Sequence, residues 1–214
     1  PEGKQMNFAR ETMDLYAPLA DRLGIYWIRT ELEDICFRIL KPFEYAEIEY
    51  AFANKKNDWE SYTNEIQQQL KEQLEKYNIK AILQNRFKNF YGIYKKMLSK
   101  DLDFNNVFDI KAFRVIVDNE ADCYAALGAV HSTWKPIPGR FKDYIALPKS
   151  NGYKSLHTNV VGPFGDKVEV QIRTHEMHEI AQYGVAAHWK YKLSSEDKNN
   201  IIDTPESIKK IFDI

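Results

Sequence analysis

Three stretches of this 214-residue chain concentrate side chains able to do chemistry. The first is Arg86-Phe87-Lys88, followed by Tyr91, Tyr94, Lys95 and Lys96. Residues two apart on an extended backbone share a face, so Arg86 and Lys88 can reach one anion together. A solvated basic helix start would look the same, and spacing alone leaves both readings open. The second stretch runs from Gly139-Arg140-Phe141-Lys142-Asp143-Tyr144 to Lys149-Ser150-Asn151-Gly152-Tyr153-Lys154-Ser155-Leu156-His157. Arg140, Lys142, Lys149, Lys154 and His157 are its candidate cations, and Tyr144 and Tyr153 are interleaved with them. Cations neutralise a nucleotide's phosphates and a tyrosine stacks on its base. A basic hairpin around the Asn151-Gly152 turn is the alternative. The third is Val168-Glu169-Val170-Gln171-Ile172-Arg173, whose polar face carries Glu169, Gln171 and Arg173. An exposed sheet face gives that same alternation.

The third stretch becomes a metal site only if a second carboxylate joins Glu169, and Asp109 is the best candidate. Two carboxylates plus substrate phosphates suit a magnesium ion. In a regular strand Asp109 and Arg114 face opposite sides. They share a site only if Asp109 precedes the regular pleat or a bulge intervenes. His175, His178 and His188 lack zinc-site spacing and are expected in helix packing or capping. Cys36 and Cys123, far apart and each among apolar neighbours, are expected as reduced core thiols, which fits a cytoplasmic setting.

These groups need elements to position them. Residues 7–40 carry apolar faces of two helices separated by Gly24, and 43–53 form a third. Residues 58–77 make the clearest helix, with Asp58 as N-cap and Trp59, Tyr62, Ile66, Leu70, Leu74 and Tyr77 as its stripe. Beyond them the periodicity predicts strands over 79–83, 110–117, 144–147, 156–161 and 168–173, with helices over 91–98, 120–134 and 175–192. A polar tail then leads to a short helix after Pro205. The order is irregular and no GxGxxG or GxxxxGK[ST] loop is present, which argues against a Rossmann or P-loop architecture. The expectation is an α+β fold: a helical start, then about five strands in one mixed or antiparallel sheet. With a formal net charge of −1, any cationic site must be local, and no apolar run reaches the length of a membrane span. Pro1 opens the chain in a helical context, so it is read as a piece of a longer protein.

At these clusters the sequence resembles the RelA/SpoT homologue family, synthetases of the alarmones (p)ppGpp. The matching stretches are RFKNFYGIYKKM (86–97), FDIKAFRVIV (108–117), HSTWKPIPGRFKDYIALPKSNGYKSLHT (131–158), VEVQIRT (168–174) and YGVAAHWKYK (183–192). The resemblance implies a nucleotidyltransferase-like mixed five-stranded sheet flanked by helices. It divides the chain into the helical end of a hydrolase domain and connector (1–55), a synthetase domain (56–194) and a tail (195–214). RETMDLYAPLADRLG (10–24) and ELEDICFRIL (31–40) look like that hydrolase end, whose metal motif lies upstream. The fragment is thus expected to make the alarmone and not degrade it.

The activity implied is transfer of pyrophosphate from ATP to the 3′-hydroxyl of GDP or GTP, with Mg2+ as cofactor. Residue by residue, the resemblance implies Arg86 at the adenine and Lys88 at the phosphates of ATP, with further phosphate contacts from Lys96 and Arg114. Asp109 and Glu169 would bind magnesium, and Glu169 would take the 3′-hydroxyl proton. Tyr153 would stack on guanine beside Lys149, Asn151 and His157, while Gln171 and Arg173 line the same face. Arg140-Phe141-Lys142-Asp143 matches the family's RxKD variant, which is usually bifunctional and tends to prefer GDP. Departures are Gly92 for the usual Ser, Gln182 for Glu, Asn85 for Gly and Asp21 for a common His. A ribosome-associated parent is implied, with neither membrane nor direct nucleic-acid binding expected of this fragment. The rival readings are a catalytically silent guanine-nucleotide module, a transferase moving AMP, and an RNA-binding domain.

Overall fold

The computed structural model describes residues 2–104, 107, 110–184 and 187. Helices lead: α1 (Glu2–Glu11), a widened turn at Thr12–Tyr16, α2 (Ala17–Arg22), α3 (Tyr26–Leu40), α4 (Pro42–Asn54) and α5 (Lys56–Lys76). The mixed part follows as β1 (Ala81–Phe87), α6 (Phe90–Lys100), β2 (Lys111–Val117), α7 (Glu120–Thr133), β3 (Lys135–Pro136), β4 (Lys142–Asp143), β5 (Leu156–Val161), β6 (Lys167–Thr174) and α8 (His175–Tyr183). The sheet order is β1-β2-β6-β5-β3, with β4 also on β5. β2 and β6 run parallel and every other pairing is antiparallel, so the sheet is mixed and the fold is α+β, as expected.

One face of the sheet carries the main core. Ile66, Leu70 and Leu74 of α5 and Cys123, Ala126, Ala129 and Val130 of α7 pack on Phe113, Val115, Val170, Ile172 and Leu156. Of the 58–77 stripe, Ile66, Leu70 and Leu74 are buried here with Tyr62 packed against the cluster, Trp59 joins the second cluster and Tyr77 is exposed; a fully buried side chain of this kind contributes about 1.5–3 kcal/mol. A second cluster joins Phe37 of α3, Ile48 of α4 and Ile93 of α6 to Phe104, Val107 and Ile110. It fastens the helical start to the mixed part. Both cysteines are buried and unbridged. No described helix is long and apolar enough to cross a membrane.

Local chemistry corrects several boundaries. α5 begins at Lys56, so the N-cap position is Lys55 and not Asp58. Asn78, at φ 56°, closes α5 in the left-handed conformation, and β1 starts only at Ala81. Arg86 is thus within the strand and not after it. No strand forms at 144–147. Asp143 Oδ1 accepts the backbone N–H groups of Ile145 (2.9 Å) and Ala146 (2.8 Å), and this local turn replaces ladder pairing. α8 ends at Tyr183, before Gly184. The expected continuation to 192 and the tail helix fall outside the described residues.

Candidate active site

The polar face of the sheet is built by register. Arg86, Ala112, Glu169 and Asn159 form one row across β1, β2, β6 and β5; Gln84, Arg114, Gln171 and His157 form the next. Paired residues on neighbouring strands point to the same side, so Arg86, Arg114, Glu169, Gln171, Arg173 and His157 share one face. β4 adds Lys142 opposite His157. This face is not a solvated sheet surface. Gln171 is 4% and Arg173 2% exposed, because α8 folds back over β6 and β2 and α3 packs against α8.

Three adjoining cavities open on this face, and His157 borders all of them. The first, about 460 Å³, is lined by Arg86, Lys88, Lys96, Glu169 and Gln171. The second, about 200 Å³, is lined by Arg86, Arg114, Lys149, Asn151, Tyr153, Gln171 and Arg173. The third, about 620 Å³, is lined by Lys96, Arg140, Lys142, Lys149 and Glu169. Apart from Lys154, the candidates of the three stretches within the described residues converge here, from segments as far apart as 86 and 173. Asp109 lies outside the described residues. Lys154 is not brought in: its Nζ lies 3.9 Å from Glu120 on α7.

Arg86, Arg114 and Arg173 stand on three strands, and among the described residues none pairs with a carboxylate. Burial, and then the charge of Arg86, pulls Arg114 down to about 10; burial, and then Arg114, pulls Arg173 to about 9. Both stay protonated at neutral pH. Burial, then Lys149, Arg173, Arg86 and Lys142, drives His157 to about 3, so it is neutral there. Its 3.7 Å approach to Glu169 is accordingly no ion pair. A pocket in which confined, mutually repelling cations outnumber the carboxylates wants a polyanion.

Glu169 sits where the first and third cavities meet. Gln171 Nε2 donates to its Oε1 at 2.7 Å, and nothing among the described residues bonds Oε2. That open oxygen has two lone-pair sites: one fits a magnesium ion, which takes one or two carboxylates together with substrate phosphates, and the other is left to accept a proton. No group of three or more His, Cys, Asp or Glu gathers among the described residues, as a dedicated protein cage would require. His175 contacts Asp118 at 3.6 Å, His178 packs within α8, and His188 lies outside the described residues.

The second stretch folds as a clamp. Lys149 Nζ lies 4.9 Å over the Tyr144 ring and 5.1 Å over that of Tyr153. Asn151 Oδ1 accepts the Tyr153 N–H at 3.2 Å, and its Nδ2 donates to the Asp21 carbonyl at 3.4 Å. Gly24 and Gly184 meet back to back here: a Cβ on Gly184 would fall 2.0 Å from the Leu23 carbonyl oxygen. That close approach carries the α2–α3 turn onto the end of α8.

The first stretch alone did not reveal what α3 adds. Tyr26, Arg29 and Glu33 line the first cavity, and Arg86 donates a hydrogen bond to the Tyr26 hydroxyl. Asp34 accepts the N–H groups of Phe90 (3.2 Å) and Tyr91 (2.9 Å), capping α6 from another helix. In sequence these residues are ordinary members of an amphipathic helix, and only the packing of α3 on α6 brings them to the site. Among the departures, Gly92 and Gln182 line the cavities, while Asn85, paired with Phe113, is exposed on the opposite face of the sheet. A Cβ at Gly92 would lie 2.5 Å from Asn89 Oδ1, so Asn89 occupies the space of the usual serine.

Comparison with known proteins gives a consistent picture. The chain is 51% identical to the GTP pyrophosphokinase of Myxococcus xanthus over 191 residues, 89% of this chain and 25% of that protein. It is 44% identical to the bifunctional (p)ppGpp synthase/hydrolase RelA of Mycobacterium tuberculosis over 214 residues, 100% of this chain and 29% of that protein. The chain thus spans about a quarter of the length of these curated relatives. Among solved structures, the small alarmone synthetase 2 from Bacillus subtilis shares the fold, at 23% identity and a TM-score of 0.50 over 76% of this chain and 92% of that one. The family description "Region found in RelA / SpoT proteins" matches residues 85–196, the span from β1 through α8 that builds the site, and on that match the chain belongs to the RelA/SpoT family.

Proposed function

We propose that this chain transfers the terminal pyrophosphate of ATP to the 3′-hydroxyl of GDP or GTP, forming (p)ppGpp and AMP. One observation carries the reading: three guanidiniums with no carboxylate partner among the described residues converge with Glu169 on one face, between cavities large enough for two nucleotides. Such a site holds two polyanions and offers one base. Arg86, Lys88 and Lys96 would bind ATP; Lys149, Asn151 and Tyr153 would bind the acceptor's base, with Arg140 and Lys142 at its phosphates.

The 3′-oxygen attacks the β-phosphorus of ATP, the bond from that phosphorus to the α,β-bridging oxygen breaks, and AMP leaves. Glu169 takes the hydroxyl proton. Arg114 and Arg173, already desolvated, stabilise charge on the group in transfer without reorganising. Holding both nucleotides in line supplies several kcal/mol, roughly 7–11 in favourable cases. Magnesium, held by Glu169 and Asp109, would screen the phosphates from the incoming oxygen. A cytoplasmic location and a longer, ribosome-associated parent belong to the same reading.

The test incubates the chain with magnesium, β-labelled ATP and GDP or GTP, beside Glu169→Gln. Label in a guanosine product with equimolar AMP, absent from the variant, supports the reading. Release of pyrophosphate would point to AMP transfer. Guanine binding without product would leave a silent module, and binding that ignores guanine and vanishes in moderate salt an RNA-binding surface.

A further inference from the structure

His157 stands between the tyrosine assigned to guanine and the carboxylate assigned to the 3′-hydroxyl. The Tyr153 hydroxyl lies 2.7 Å from His157 Nε2, and His157 Nδ1 lies 3.7 Å from Glu169 Oε1. Gln171, opposite His157 in the register, holds the same Oε1 at 2.7 Å. The imidazole is clamped edge to face by Tyr144 (5.3 Å, 89°) and Tyr153 (5.7 Å, 84°), which leaves its ring angle little freedom.

The groups facing the ring favour one tautomer. The Glu169 carboxylate can only accept, so the ring nitrogen turned toward it is better an N–H than a lone pair. Nε2 is then the nitrogen that accepts the Tyr153 hydroxyl proton. A neutral imidazole accepting at Nε2 carries its own proton on Nδ1, the nitrogen that faces Glu169. At 3.7 Å that N–H is not yet bonded, and contacts of this kind tighten when substrate closes a site. Nδ1–H and Gln171 both address Oε1, leaving Oε2 toward the cavity.

Resting on the pyrophosphate-transfer reading, we propose that His157 is a positioning residue coupling acceptor recognition to the base: Tyr153 sets its tautomer and angle, and His157 with Gln171 anchors Oε1 of Glu169 so that Oε2 meets the 3′-hydroxyl. No proton passes through the imidazole; the hydroxyl proton stays on Glu169. The Tyr153 ring then serves binding, and its hydroxyl serves rate.

Steady-state kinetics on the chain separate these roles. Tyr153→Phe keeps the stacking ring and loses only the hydroxyl. It lowers kcat roughly 10- to 100-fold, as misplacement of a catalytic group does, with the KM for GDP unchanged within about twofold. His157→Asn, whose amide sits near the Nδ1 position, retains more kcat than His157→Gln, whose amide sits near Nε2. The double variant Tyr153→Phe/His157→Asn is no slower than the slower single variant, since both break one chain of contacts. A raised KM at unchanged kcat in Tyr153→Phe, or effects that multiply in the double variant, overturns the proposal. Should the His157 variants melt early, Tyr153→Phe decides alone. Absence of product from the unaltered chain overturns the transfer reading and this proposal together; normal product with an unaffected Tyr153→Phe overturns this proposal only.

Discussion

The Arg86 guanidinium lies 4.8 Å above the ring of Tyr26 and donates to its hydroxyl, while Arg29 lies 4.5 Å above the same ring. An aromatic side chain from α3 thus lies against the cation assigned to the adenine of ATP. Such a contact is worth about 0.5–2 kcal/mol and must be given up when adenine takes its place. We expect Tyr26→Ala to lower the KM for ATP by about 3- to 10-fold with kcat little changed. Initial rates against ATP concentration decide it: a higher KM would make Tyr26 a wall of the ATP site and not a competitor.

Glu169→Gln keeps the side chain's shape and its contact with Gln171 while removing the base. The expected loss in kcat is about 10²- to 10⁴-fold, with guanine-nucleotide affinity within about twofold of the parent. Single-turnover rates beside fluorescent-nucleotide titration test this. Chelation of magnesium should stop turnover in the unaltered chain, and excess metal should restore it. Equal loss of affinity and rate in the variant would instead place Glu169 in binding.

Much of this site was legible because strand alternation and short motifs are local. Glu169, Gln171 and Arg173 read as one face from spacing alone, and the register confirms that they share it. Arg86 and Lys88 read as a pair, and both line one cavity. What stayed hidden depends on partners far along the chain. Nothing near Tyr26 or Asp34 announces that α3 will reach β1 and α6, and the strand expected at 144–147 was lost to a carboxylate at Asp143. The burial of Arg173 was equally invisible, because its cover comes from α8.

Gly184 should tolerate no side chain. Its φ of 56° is left-handed, and a Cβ would meet the Leu23 carbonyl oxygen at 2.0 Å and the Gly24 carbonyl carbon at 2.6 Å, both backbone atoms. Gly184→Ala should cost at least about 2 kcal/mol through strain and overpacking. Gly128, inside α7 with nothing within 4 Å of its Cβ position, is the control. Gly128→Ala should stabilise by about 0.5–1 kcal/mol. Urea unfolding of both variants tests the pair, and an unaffected Gly184→Ala would mean the α2–α3 turn does not bear on α8.

Acid should weaken the fold through His178. Burial, and then the charges of Arg173, Arg114 and His175, hold its pKa down to about 4, and its Nδ1 is buried without a hydrogen-bond partner among the described residues. The folded value lies below the ordinary histidine value, so between the two the unfolded chain binds more protons. His178 therefore contributes its full stabilisation above about pH 6.5 and loses it as pH falls toward 4, by about 1.4 kcal/mol per pH unit. His157, depressed to about 3, adds a slope of the same sign. Urea midpoints between pH 7 and 4.5 should fall steadily, and His178→Gln should remove about one proton's worth of that slope whatever it does to stability at pH 7. An unchanged slope would mean that His178 is protonated in the fold and that the neighbouring arginines do not repel it.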